Sequence, residues 1–373
     1  MKKIIVNAIP LRGAMNGISR YITSIFNELG KDKDIDLEFF YGTYFSKKLE
    51  GDAAINPSLL NVAKNIPFYY ALRELYVSTA IKYKIKKNKC IYHNPNFISY
   101  KLNVPIITNI HDISFIKYPE YHPKKRVDFL TSHIKSSISI SDIILTDSNF
   151  VRNEIIDYFK ISQDRVVTVP LAASDSFTKL KSNDINRLLE NFGLIYKKYF
   201  LSVSTIEPRK NIISAIKAFI MLPNKIQKQY PFVIVGVDGW LNSDFYSLIT
   251  PLLATKKIIL LGYVAEEMLP SLYAGAKIFI YPSIYEGFGL PVLEASACGT
   301  PVITSNTSSI PEIASNFAVM VNPLDIDHIY SGIMSIISNS LYEIKLINDG
   351  LNNAKKYSWA NTADQTLKIY NQL

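Results

Sequence analysis

The sequence predicts an α/β protein made of two doubly wound, parallel-sheet domains, and three observations predict it. Its 373 residues suit two domains at about 150 residues each. Short β-branched runs alternate with segments of helical spacing, and they do so twice over. A polar stretch, residues 172–186, separates the two alternations. Residues 1–175 are therefore assigned to a first domain and 195–356 to a second. A final segment, 357–373, is expected to pack back on the first as a helix.

Residues 2–8 form the first strand-like run, followed by a loop over 10–17. Residues 18–29 have helical spacing, with Ile18, Tyr21, Ile22, Ile25, Phe26 and Leu29 on one face. Residues 36–41 read as the next strand, and 61–90 as helical, basic and aromatic. Strand-like runs follow at 90–93, 105–110, 143–146 and 165–169. The second alternation has strands at 199–204, 232–235, 258–261, 278–281 and 301–304. Helical segments at 211–222, 291–297 and 326–338 lie among them. In such sheets ligands bind beyond the carboxyl ends of the strands, so the cleft between the domains is the expected site.

Composition narrows the class. With 48% apolar and 20% charged residues the chain has a core to build. Cys90 and Cys298 offer neither a disulfide framework nor zinc-ligand spacing, which suits a reducing compartment. No apolar run approaches the ~18–20 residues of a membrane-spanning helix. The opening MKKIIV reads as a first strand rather than a signal peptide, because Asn7 and Arg12 interrupt the apolar part. Cytoplasmic placement follows, with contact at the membrane surface left open.

The most informative stretch runs from Tyr281 to Ala295. A strand ends at Tyr281, and a loop with Glu286, Gly287, Phe288, Gly289 and Leu290 leads into a helix with Pro291 near its start. The glycines let backbone N–H groups approach a ligand, and a helix N-terminus favours an anion. Glu286 and Glu294 could grip sugar hydroxyls there. Glu294 also reads as an ordinary acidic residue early in a helix, and Glu286 as a solvated loop residue. In the segment from Thr205 to Asn211, Arg209 and Lys210 stand just before a helix N-terminus. That arrangement is locally unfavourable; a bound anion such as a diphosphate reverses the sign, and the alternative is that both side chains point into solvent. Asn211 reads as the helix cap. His111 and Asp112 close the strand at 105–110, where an imidazole can bond a sugar hydroxyl. His93 reads either as a packed histidine or as one facing an acceptor.

Residues 281–295, with seven residues between their two glutamates, resemble the E-x7-E motif of the retaining glycosyltransferases of family 4, which have the two-domain GT-B fold. The run from Ala297 to Asn306 and the pair Pro311 and Glu312 match that family's continuation. The resemblance implies that Glu286 bonds donor-sugar hydroxyls and Glu294 the ribose of a nucleotide. It implies that the backbone of Gly287, Phe288, Gly289 and Leu290 lines the sugar and phosphate. Glu207-Pro-Arg209-Lys210-Asn211 is similar to the family's diphosphate-binding segment. His111 and, beside it, Asp112 correspond to its sugar-contacting pair. Gly17 corresponds to one of two loop glycines near the donor phosphates, with Asn16 in place of the other, and Arg20 reads as facing a phosphate or the surface. Ser148 lies in a hydroxyl-bearing loop that also reads as a helix cap. Tyr263 and Val264 match the segment holding the nucleobase through main-chain groups. The loop from Gly236 to Trp240 follows another second-domain strand.

The resemblance makes the first domain the acceptor side and the second the donor side. The segment from His111 to Pro123 looks like that of bacterial mannosyltransferases of polysaccharide assembly. GDP-mannose is therefore the leading donor, with UDP-sugars and dTDP-rhamnose open. A polyprenyl-diphosphate-linked glycan is the expected acceptor. No metal or other cofactor is expected: Asp34 with Asp36, and Asp325 with Asp327, are short triplets of the kind chance supplies. No dinucleotide fingerprint follows the first strand. A binding protein that has lost transfer is the non-enzyme alternative, and the intact Glu286, Arg209 and Lys210 argue against it.

The formal charge of +9 is uneven, with net +7 in residues 1–175. Lys82, Lys84, Lys86, Lys87 and Lys89 follow Phe68, Tyr69, Tyr70, Tyr76 and Tyr83, a pattern suited to an anionic membrane surface or to a solvated helix face. Nucleic acid is not an expected partner.

Overall fold

A computed structural model describes residues 1–13, 17–50, 69–85 and 89–373, with side chains from residue 76 onward in the helix Tyr69–Ile85. Runs rich in isoleucine and valine become strands buried on both faces, as parallel sheets require. The first sheet comprises β1 (Lys2–Asn7), β2 (Ile35–Phe40), β3 (Phe45–Ser46), β4 (Ile91–Asn94), β5 (Ile106–Asn109), β6 (Ile143–Thr146) and β7 (Val166–Thr168). Among the described residues its order is β3-β2-β1-β4-β5-β6-β7, parallel except for the β2–β3 pair. The second comprises β8 (Phe200–Val203), β9 (Phe232–Val235), β10 (Ile258–Gly262), β11 (Ile278–Tyr281), β12 (Val302–Ser305) and β13 (Val319–Val321). Its order is β10-β9-β8-β11-β12-β13, parallel throughout. Two parallel-sheet α/β domains are thus present, as the alternation predicts.

Successive side chains of a strand serve opposite faces. In β1, Ile4 and Val6 pack with Tyr21, Ile22 and Phe26 of the helix Gly17–Leu29. Ile5 packs on the other side with Val77, Ile81 and Ile85. The helix Ser182–Asn191 buries Ile185 and Leu189 among second-domain residues, Tyr199 and Tyr273 included. The helix Trp359–Gln372 packs on Gly17–Leu29 in the first domain.

That last helix settles His93. The ring is wholly buried, with Nδ1 2.5 Å from the Tyr370 hydroxyl and Nε2 2.7 Å from Asn109 Oδ1. It is a packed histidine, not one facing an acceptor, and burial holds it down at about pKa 4. No described helix is long and apolar enough to cross a membrane. Phe68, Lys86, Lys87 and Asn16 lie outside the described residues, as do the side chains of Tyr69 and Tyr70.

Candidate active site

In the second sheet the strand order reverses between β8 and β11, which lie side by side. The loop after β8 carries Arg209 and Lys210, and the loop after β11 carries Glu286. The three side chains meet at this switch point. Lys210 Nζ lies 2.7 Å and Arg209 Nη1 3.2 Å from the Glu286 carboxylate. The Tyr281 hydroxyl donates to Glu286 at 2.8 Å and that of Ser283 at 2.5 Å. Burial alone would push the Glu286 carboxyl up, but Lys210 and Arg209 outweigh it and hold it at about 2. Arg209 also pairs with Glu207 at 2.7 Å and donates to the Tyr285 carbonyl at 2.6 Å. Against its burial, Glu286, Glu207 and Asp112 raise its pKa further. The guanidinium is charged at any working pH.

The first domain supplies the facing wall. His111 Nδ1 lies 2.8 Å from Asp147 and Nε2 3.3 Å from the Pro95 carbonyl. Burial disfavours the imidazolium, yet Asp147 overcomes it and the pKa stands above the ordinary histidine value. Asp112 accepts from the amide and hydroxyl of Ser114 at 2.9 and 2.7 Å. Its burial opposes ionisation, but Arg209 across the cleft, with Ser114, lowers its pKa below the usual value. The domains touch at Gly287, where a Cβ atom would stand 1.9 Å from the His111 carbonyl oxygen. Only glycine permits that approach. The Ser148 hydroxyl caps the helix Asn149–Phe159 and donates to the Gly287 carbonyl at 2.7 Å. Capping and cleft contact are both its roles.

Beyond Gly287, Phe288 is buried against first-domain residues with its ring edge-on to Tyr357. Gly289 caps the helix Leu290–Ala297 at φ +108°, and Leu290 begins it. Glu294 is 2% exposed, accepting from the Tyr273 hydroxyl at 2.9 Å and from Arg20 at 3.1 Å. Burial pushes its carboxyl up to about 7 against the pull of Arg20 and Tyr273. Arg20 therefore does not stand in bare solvent: it pairs with Glu294 and, at 3.4 Å, with Glu266. Gly17 opens the Arg20 helix with nothing within 4 Å of where a Cβ would be. Tyr263 is 67% exposed after β10, with Val264 buried beside it.

Glu286, Arg209 and Lys210 thus form one cluster faced by His111 and Asp112, while Glu294 forms a second centre with Arg20. Sequence reasoning gave no role at the site to Glu207, Asp147, Tyr273, Tyr281, Ser283 or Glu312. Glu207 and Asp147 stood within motifs already singled out, whereas Tyr273 is joined to Glu294 only by the fold. Asn211 is not a side-chain cap. It adopts φ +55° and its amide donates to the Pro282 and Pro323 carbonyls at 3.0 and 2.7 Å, tying the two loops together. Asp325 is a cap, accepting from the His328 amide at 3.0 Å, and Asp36 pairs with Lys47.

Two parallel sheets presenting their loops to a shared cleft, with this cluster at the switch point, define a GT-B glycosyltransferase. The chain belongs to the group 1 glycosyl transferases, whose family model matches residues 191–357. It is 34% identical over 380 residues to O-antigen chain mannosyltransferase B of Escherichia coli, covering 100% of both chains. It is 26% identical over 336 residues to O-antigen chain mannosyltransferase RfbU of Salmonella typhimurium, covering 86% of this chain and 87% of that one. The fold matches that of Anabaena Alr3699/HepE, solved with UDP and glucose, at a TM-score of 0.76, 15% identity and full coverage of both chains.

Proposed function

We propose that the protein is a retaining mannosyltransferase that moves mannose from GDP-mannose to a hydroxyl of a growing, lipid-linked surface polysaccharide such as O-antigen. The observation that carries the reading is the Glu286–Arg209–Lys210 cluster, in a chain similar over its full length to a mannosyltransferase. Arg209 and Lys210 would bind the donor diphosphate and stabilise the charge that builds on it as the glycosidic bond breaks. The diphosphate would take over the two cations from Glu286, freeing that carboxylate for the sugar hydroxyls. His111, braced by Asp147, would orient the same sugar, with Asp112 beside it. Glu294 would take the ribose, Tyr263 and Val264 the base, and the backbone from Gly287 to Leu290 the sugar and phosphate, with Gly17 nearby.

Acceptor attack on the leaving-group face, with the departing phosphate oxygen taking the proton, gives retention without a metal. Closure over the donor limits hydrolysis. The first domain would rest on the anionic cytoplasmic face of the membrane, where a polyprenyl-linked acceptor is anchored. A thermal-shift panel of GDP, UDP, dTDP and ADP tests the donor, because a ligand that binds only the folded state stabilises it. Stabilisation by GDP above the others is expected. A response to UDP or dTDP instead redirects the reading to a UDP-sugar or dTDP-rhamnose, and no response to any of them overturns it.

A further inference from the structure

The loop after β9 lies flat on the segment that leads to Arg209. Gly236, at φ +153°, would place a Cβ 1.8 Å from the Ser204 carbonyl oxygen, so the close approach needs glycine. Two backbone bonds fix the contact: Ile206 N to the Val237 carbonyl at 3.0 Å and Gly239 N to the Ile206 carbonyl at 3.2 Å. From this anchored loop Trp240 crosses to the first domain. Its indole N–H donates to the Tyr121 carbonyl at 2.6 Å. Its ring lies 5.9 Å from that of His122, and the Arg126 guanidinium sits 5.5 Å from its centroid.

The chain of contacts continues inward. His122 Nε2 lies 2.9 Å from the Ser114 hydroxyl, which itself donates to Asp112 at 2.7 Å. The Ser114 proton is committed to the carboxylate, so His122 must donate from Nε2, which leaves Nδ1 as an acceptor. That Nδ1 is buried without a partner among the described residues. His122 thus has one useful orientation, and the loop that Trp240 grips fixes it.

We infer that Trp240 is a positioning residue for glycosyl transfer. It fastens the Pro119–Tyr121 turn and His122 across the cleft, and through His122 and Ser114 it sets Asp112 opposite Arg209. A loop of the donor-side domain thereby dictates the geometry of the acceptor side, and only when the domains are closed. This rests on the reading that the cleft carries out transfer, with Asp112 facing substrate.

The test compares wild type with Trp240→Phe, which keeps a ring but loses the N–H, and Trp240→Ala. Hydrogen exchange across residues 112–122 needs no substrate, and it should rise severalfold in Trp240→Ala. With a donor that the wild type uses, transfer should fall about tenfold in Trp240→Phe, the effect of one lost hydrogen bond, and further in Trp240→Ala. Nucleotide affinity should stay within about twofold. Donor hydrolysis should rise relative to transfer, because a loosened cleft admits water. Unchanged exchange overturns the inference whatever the activity. So does a uniform loss of nucleotide affinity, hydrolysis and transfer, the mark of a merely structural residue. A wild type that consumes no sugar nucleotide overturns the proposed function instead, and leaves the exchange result to decide on Trp240.

Discussion

Glu286 and Glu294 are eight positions apart in sequence and opposite in electrostatics. Cations at 2.7 and 3.2 Å keep Glu286 ionised; burial leaves Glu294 titrating at about 7. The consequence for stability has a definite sign. Between the ordinary carboxyl value of 4.5 and about 7, the unfolded chain releases the Glu294 proton while the folded chain keeps it. The group therefore withdraws stability as pH rises through that window, by about 3 kcal/mol in all. The melting temperature of Glu294→Gln relative to wild type should accordingly be higher at pH 8.5 than at pH 6. A constant difference between the two would show that Glu294 is ionised throughout. At this scale the sequence was informative where each residue stands in a recognisable short motif, as Glu286, Arg209 and Lys210 do, although 77 and 76 positions separate the two cations from Glu286. It was silent about which motifs meet: Arg20 and Glu294 are 274 positions apart and no spacing announces their bond.

Helices and strands were legible in proportion to their length and periodicity. The helix Gly17–Leu29 shows its apolar stripe in the sequence, and β6, β9 and β11 fall where β-branched runs place them. The two-residue β3 and the three-residue β13 went unread because pieces so short carry no period. The helix Asn149–Phe159 was visible in its capping Ser148, but its second cap was not. Glu312, from the other domain, accepts from the Asn149 amide at 3.0 Å and the Phe150 amide at 3.1 Å. A carboxylate on the N-terminal amides of a helix is favoured by the helix dipole, by about 0.3–2 kcal/mol. Here that energy holds two domains together. In solution scattering of the ligand-free protein, Glu312→Ala should shift the population toward an open form of larger radius of gyration. An unchanged radius would remove Glu312 from closure.

At the scale of the molecule, charge and connectivity matter more than any single contact. The basic surplus was read from composition, and the structure refines which residues can use it. Lys84 is committed to Glu38 at 2.6 Å, whereas Lys82 and Lys89 are exposed and Tyr76 and Tyr83 are 52% and 72% exposed. Lysines near an anionic surface contribute about 1 kcal/mol each. Reversing both, as Lys82→Glu with Lys89→Glu, should weaken binding to phosphatidylglycerol vesicles about tenfold or more and leave nucleotide affinity unchanged. Undiminished vesicle binding would refute contact through this face. Connectivity was legible only in outline: residues 357–373 are expected on the first domain and the helix Trp359–Gln372 does pack there, but nothing in them names the side chains they meet. Tyr370 and Trp359 complete the hydrophobic centre of the first domain beside Tyr21, and Tyr370 satisfies the buried His93. On the ribosome the order is therefore inverted. The domain whose strands emerge first waits, its apolar face uncovered, until the whole of the second has been synthesised. The domain made later is the one free to finish folding earlier.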